Sequence, residues 1–286
     1  MDEATTRRHA LIWHLVYVGA LHDTAVRDAM LAVPRHLFLP TEPLPRAYID
    51  DAIPTKHTAA GVAISSASQP TMVAQMLEQL ALVPGMRVLE IGAGTGYNAA
   101  LMRTLVGDTG HITTIDIDED LTVAARAHLA STGITDVEIV TADGAAGYAV
   151  NAPYDRVILT VGTGDIAPAW IAQLAPDGVL VLPLSIGTAQ YSIAFARQGT
   201  LLWSRSLVRC GFMPLRGSMD HTVQRFPVED EVQIALDRAL ATQPVPHFPG
   251  TVPPTIIAVP RGDMSFPPDN AIIIPLPHWE LRVMRA

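Results

Sequence analysis

The chain has 286 residues, 49% of them hydrophobic and 16% charged, and a formal net charge of −9. That length and apolar share can bury a sizeable core, which excludes a disordered chain and favours one domain with an appendage over two equal ones. The acidic balance argues against a broad nucleic-acid footprint, the single Cys210 against a disulfide framework or a cysteine-based zinc site, and no apolar run is long enough to span a bilayer. The start Met1-Asp2-Glu3-Ala4 carries no signal-peptide pattern, so a reducing cytoplasm is the expected location, with no membrane partner.

Residues 8–32 read as two helices broken at His22-Asp23-Thr24, with Asp23 able to cap the second and Val33-Pro34-Arg35 ending it. Residues 40–67 lack clear periodicity and read as loop with short strands. Ser68-Gln69-Pro70 is a helix start in which Ser68 can cap and Pro70 suits the first turn; Met72, Val73, Met76, Leu77 and Leu80 share one face of that helix. From 86 onward strands at 86–91, 111–116, 136–140, 155–161 and 178–184 alternate with helices at 96–106, 119–131 and 166–175. This alternation predicts an α/β fold with a doubly wound, mostly parallel sheet. Tyr191–Ala196 and Leu201–Arg209 read as a closing hairpin. A helix at 228–241 follows, and then a proline-dense stretch from Pro244 to Pro277, around which Ala271–Ile274 and Glu280–Met284 could be strands.

The stretch Val88-Leu89-Glu90-Ile91-Gly92-Ala93-Gly94-Thr95-Gly96-Tyr97 is an apolar strand running into a glycine turn and a helix start. Such a turn lets the backbone approach a ligand at a helix N-terminus. Thr113-Thr114-Ile115-Asp116 is a second strand ending in an acid, placed where βαβ nucleotide folds hold ribose hydroxyls. The set points to a nucleoside-containing cofactor without saying which; a nicotinamide dinucleotide is the rival reading.

Three blocks then converge: this turn; Ala142-Asp143-Gly144 with Ala152-Pro153-Tyr154-Asp155-Arg156-Val157-Ile158-Leu159; and, upstream, Val33-Pro34-Arg35-His36-Leu37-Phe38-Leu39-Pro40, Ala47-Tyr48-Ile49-Asp50 and Ser68-Gln69-Pro70. Over residues 25 to 216, roughly, the chain resembles the protein-L-isoaspartate O-methyltransferase family. The resemblance implies a Rossmann-like methyltransferase fold with S-adenosylmethionine as cofactor and S-adenosylhomocysteine as product. Carried over by position, Glu90, Gly92 and Gly94 would line the amino-acid end and the turn, with Thr95, Gly96 and Ile117 beside them. Asp116 would hold the ribose, and Asp143 and Gly144 would sit at the adenine. Ser68 would occupy the active-site serine position, with Ser66 as the second catalytic candidate. Ser65, His57, Gln69 and Arg216 are the substrate-binding candidates, and no metal is expected. Lys56, in the loop beside His57, reads as solvated.

The implied division is 1–67 as helical cap and substrate loop, 68–216 as cofactor-binding core and 217–286 as an extension serving peptide recognition, whose removal should spare cofactor binding. The chain departs from the repair enzymes' Gly-x-Thr-x-Ser approach, reading Ile64-Ser65-Ser66-Ala67-Ser68, and continues well past Arg216. Both features resemble the branch that methylates an aspartate in a ribosomally made peptide, leading to an aspartimide. The expected activity is therefore methylation of an aspartyl or isoaspartyl carboxylate in a peptide or protein. General isoaspartyl repair is the alternative, and a non-catalytic module that keeps the cofactor fold is a rival of another class. The oligomeric state stays open, with a monomer as default.

Overall fold

The computed structural model describes residues 1–220, 234, 256–263 and 271–284. Two compact units emerge, Met1–Gly144 and Ala145–Ala286. The first joins the N-terminal helices to the glycine turn, and the second joins the extension to the residues from 145 onward. This differs from the three-segment division read from sequence.

In the first unit, helix α1 (Glu3–Tyr17) is capped by Asp2 and α2 (Thr24–Ala32) by Asp23, whose carboxylate accepts from the Ala25 and Val26 amides at 2.6 and 3.1 Å. These caps satisfy amides that the helix itself leaves unpaired. α1 begins earlier than the sequence pattern indicates. Its first turns are polar, held by an Arg7–Glu3 pair, and its buried residues start only at Leu11. Hydrophobic periodicity cannot reveal turns that bury nothing.

After a short helical turn at Arg35–Phe38 and helix α3 (Leu44–Ala47), strands β1 (Ile53–His57) and β2 (Ala63–Ala67) pair as an antiparallel hairpin. Helix α4 (Pro70–Leu80) follows, burying Val73, Met76, Leu77 and Leu80. Its cap is not Ser68. The N-cap position is Gln69, without a side-chain cap of its own, and the orphan Thr71 amide donates to Asp50 Oδ1 at 2.8 Å while Thr71 Oγ1 donates to Asp50 Oδ2 at 2.7 Å. The cap thus arrives from a segment upstream, which frees the serine hydroxyl from that task.

Strands β3 (Arg87–Ile91), β4 (His111–Asp116) and β5 (Glu138–Thr141) run parallel in that order, and α5 (Tyr97–Val106) and α6 (Glu119–Ser131) make the crossovers. The apolar runs Val88-Leu89 and Ile112 are fully buried, as a sheet covered on both faces requires.

In the second unit β6 (Tyr154–Leu159) is parallel to β7 (Leu174–Ile186) through α7 (Pro168–Gln173). β8 (Ala189–Gln198) and β9 (Leu201–Cys210) continue antiparallel, as the hairpin reading expected. The extension then adds β10 (Ile256–Pro260) to β9, β12 (Trp279–Met284) to β10, and β11 (Ala271–Pro275) outermost. β11 and β12 match the two strands read from sequence. β10 was hidden by the surrounding prolines, although Ile256, Ile257, Ala258 and Val259 are each at most 1% exposed. The helix expected at 228–241 lies outside the described residues, Ile234 apart.

The extension also clasps the loop after β6. His278 donates from its backbone amide (3.0 Å) and faces with Nδ1 the same oxygen of Asp165, and Trp279 Nε1 donates to Ile166 O at 3.0 Å. It is thereby built into the second unit.

Candidate active site

The glycine turn is built by backbone geometry that other residues resist. Gly92, Gly94 and Gly96 have φ of +104°, +50° and +84°. The Gly92 and Ala93 amides both donate to Ile115 O, at 2.8 and 2.9 Å, which pins the turn to the end of β4. At Gly96, the N-cap of α5, an added Cβ would meet Ala125 Cβ at 3.2 Å and Ala125 O at 3.3 Å. Conformation and space both demand glycine there.

Asp116 ends β4 at 9% exposure. One oxygen accepts from the Gly94 amide at 2.9 Å and the other from the Asp118 amide at 3.2 Å. These two amides aim the carboxylate at the carboxyl edge of the sheet. Ile117, next in sequence, is 37% exposed, an apolar side chain left open beside it. Asp143 and a buried Gly144 follow β5, and the Ala142 amide donates to Asp116 O at 3.0 Å, which draws this pair to the same carboxyl edge of the sheet. Ligands bind at that edge in open α/β sheets.

Glu90 lies beneath the turn. It is fully buried, with Oε1 accepting from Asn98 Nδ2 at 2.7 Å and Oε2 from Thr114 Oγ1 at 2.6 Å. Burial drives its pKa up from 4.5 to about 7, opposed by those two hydrogen bonds and reinforced by the Asp116 charge. The folded chain therefore holds this proton up to about pH 7, whereas the unfolded chain releases it near 4.5, so stability is lost as pH rises through that window. Glu90→Gln should remove the loss, gaining about 3 kcal/mol relative to the parent between acid and mildly alkaline pH. Denaturation midpoints across the window would test this, and parallel pH profiles for the two chains would refute it.

The hairpin closes over the turn. A Cβ on Gly94 would lie 3.8 Å from Ser66 O, and Lys56 is ion-paired with Asp118 at 2.9 Å and Asp120 at 2.6 Å rather than solvated. Ser65 is buried, its hydroxyl accepting from Thr55 Oγ1 at 3.2 Å across the hairpin. The Ser66 and Ser68 hydroxyls have no hydrogen-bond partner among the described residues and are half-buried. Gln69 is committed to Asp50, donating to its backbone oxygen at 3.2 Å and its carboxylate at 3.3 Å. His57 is exposed at the far end of β1. Arg216 belongs to the second unit, just after Leu215, whose amide donates to Gly162 O at 2.7 Å in the loop that follows β6. The first unit thus holds Ser66, Ser68, Gly92, Gly94, Gly96 and Asp116.

Two residues matter more than the sequence suggested. Asp50 caps α4, as described. Arg35 is 1% exposed and donates from Nη2 to Ser68 O at 3.0 Å and from Nε to Ala47 O at 3.1 Å, while its guanidinium lies 5.1 Å from the centre of the Tyr97 ring. Both sit in the upstream blocks, but no local pattern announces contacts with residues so far along the chain.

These features match a known family. The family model for protein-L-isoaspartate(D-aspartate) O-methyltransferase matches residues 6–220. A protein-L-isoaspartate O-methyltransferase of Hyperthermus butylicus is 40% identical over 220 residues, covering 73% of this chain and 88% of its own length. One of Roseiflexus sp. is 37% identical over 227 residues, covering 79% of this chain and 99% of its own. A solved structure of a protein-L-isoaspartate O-methyltransferase superposes with a TM-score of 0.70 at 26% identity, over 98% of this chain and 88% of that one. A structure from Plasmodium falciparum with S-adenosyl-L-homocysteine, 18% identical, shares the fold at a TM-score of 0.64, over 76% of this chain and 99% of that one. The doubly wound α/β methyltransferase fold is thereby shown, and the glycine turn, Asp116 and the open Ile117 fit S-adenosylmethionine. The chain belongs to the protein-L-isoaspartate O-methyltransferase family and is an S-adenosylmethionine-dependent enzyme of that family.

Proposed function

We propose that the chain transfers the methyl group of S-adenosylmethionine to an isoaspartyl or aspartyl carboxylate in a peptide or protein. The observation that carries this reading is the Ser68 hydroxyl, without a hydrogen-bond partner among the described residues, on a segment that Arg35 anchors through the Ser68 carbonyl and that lies against the glycine turn. A carboxylate is already ionised at neutral pH and needs no general base. Its methylation requires an oxygen held in line with the methyl group and water kept away, and a fixed hydroxyl supplies that orientation without taking a proton. In this reading Asp116 holds the ribose, Asp143 and Gly144 stand at the adenine, Gly92, Gly94, Thr95 and Gly96 approach the amino-acid end, and Ser66 assists Ser68. The ester product is more electrophilic than the acid, so the next backbone amide can close a succinimide with loss of methanol.

A second reading, maturation of a dedicated ribosomally made peptide, rests on the Ser65-Ser66-Ala67-Ser68 approach and on the extension as a recognition element. The extension supports it weakly, because the solved relative aligned over 98% of this chain spans that region as well. Incubation with an isoaspartyl peptide and with an aspartyl cyclic peptide, scored by the mass gain of one methyl group, separates the two. Methylation of the linear isoaspartyl peptide alone supports repair, and methylation of the cyclic aspartyl peptide alone supports maturation. Methyl transfer to neither peptide would refute carboxylate methylation.

A further inference from the structure

Arg35 is a buried cation that forms no ion pair with a carboxylate among the described residues. It makes two hydrogen bonds to neutral carbonyls, those of Ala47 and Ser68, and its Nη1 is buried with no acceptor among the described residues. Asp50 is the acid whose charge reaches it, and that carboxylate is spent on the Thr71 amide, the Thr71 hydroxyl and the Gln69 amide group. The groups packed around the guanidinium are otherwise the Tyr97 ring and the Tyr48 phenol, both uncharged at neutral pH. Burying an unpaired guanidinium is costly, and it cannot shed its proton to escape the cost. The resulting positive field is centred one hydrogen bond from the backbone of Ser68.

We propose that the missing counter-ion is the substrate's own carboxylate, and that Arg35 is a positioning residue that makes the Ser68 position selective for an anionic acceptor over its neutral amide. The field acts at a distance, and the hydrogen bond to the Ser68 carbonyl keeps the serine hydroxyl in register with it. The proposal rests on the carboxylate-methylation reading and specifies how that site tells aspartate from asparagine. Charges separated by several ångströms in a partly desolvated site are worth on the order of a 10-fold to 100-fold preference.

The test uses the full chain saturated with S-adenosylhomocysteine and compares binding of an isoaspartyl peptide with that of the same peptide carrying the amide, by fluorescence anisotropy. The parent should prefer the carboxylate by at least about 10-fold. Arg35→Gln, which keeps a donor but loses the charge, should bring the two affinities close to equal. Arg35→Lys should keep the preference even if both peptides bind more weakly. A merely structural role would weaken both peptides alike and leave their ratio unchanged, and that outcome in Arg35→Gln overturns the proposal. If Arg35→Gln does not fold, Arg35→Lys decides: loss of the preference in a folded Lys variant overturns the idea, and its retention supports it. A parent chain with no preference would overturn the carboxylate reading itself, and the proposal with it.

Discussion

Replacing Asp116 by alanine should weaken S-adenosylhomocysteine binding on the order of 100-fold, the expected loss for two charge-assisted hydrogen bonds worth about 1.5 kcal/mol each. The effect has two parts. The carboxylate is the acceptor expected for the ribose diol, and it also holds the turn, accepting from the Gly94 amide at 2.9 Å and the Asp118 amide at 3.2 Å. Its removal costs the ligand its partner and loosens the loop that approaches the ligand. Asp116→Asn keeps an acceptor oxygen and should fall between parent and alanine. Calorimetry with S-adenosylhomocysteine is the measurement, since it needs no substrate. An alanine variant that binds within a few-fold of the parent would show that the ribose is held elsewhere.

A chain cut after residue 220 should fail to give a cooperatively folded protein. Ile256, Ile257, Val259, Leu276, Trp279, Leu281 and Val283 are all at most 4% exposed. Burying that many large apolar side chains is worth on the order of 10 kcal/mol as an upper figure, comparable with the whole stability of an ordinary domain. The cut would also open the β9 edge, where Ser204 Oγ accepts from the Ile256 amide at 2.9 Å, and strip Asp165 of its His278 partner. An unpaired edge beside a buried carboxylate invites aggregation. Thermal melts and size-exclusion profiles of the truncated and full chains would decide the matter. A truncated chain that melts cooperatively within a few degrees of the parent would refute the account. Recognition by the extension is better tested by changing exposed side chains on it, such as Arg261, than by deletion.

The parts of this fold that sequence made legible are those set by neighbours in the chain. Asp23 caps the amides two and three residues on, and the glycine turn follows its strand directly. The alternation from 86 to 184 shows as a period of apolar runs. What remained hidden depends on contacts across long stretches. Ser68 looks like a helix cap because the residue that caps α4, Asp50, lies 21 positions before Thr71. Arg35 looks like an anchor for its own block because the Ser68 carbonyl it holds is 33 positions away. Lys56 reads as solvated until α6 brings Asp118 and Asp120 to it. β10 has no polar alternation to mark it, since it is buried on both faces and bounded by proline. These long-range contacts hold the family's motif residues in place.

Gly96 carries a consequence for how this sequence can change over time. With only 3.2 Å between an imagined Cβ at 96 and Ala125 Cβ, helices α5 and α6 touch almost backbone to backbone. Position 125 therefore has an upper size limit set by position 96, although nothing in its own helix restricts it. A larger side chain at 125 would push away α6, and with it the Asp118–Asp120 end that Lys56 grips. Among relatives that keep the glycine, position 125 should accept alanine, glycine or serine and little else. The two positions should drift as a pair, an evolutionary signature of the cofactor loop written into a helix that has no chemistry of its own.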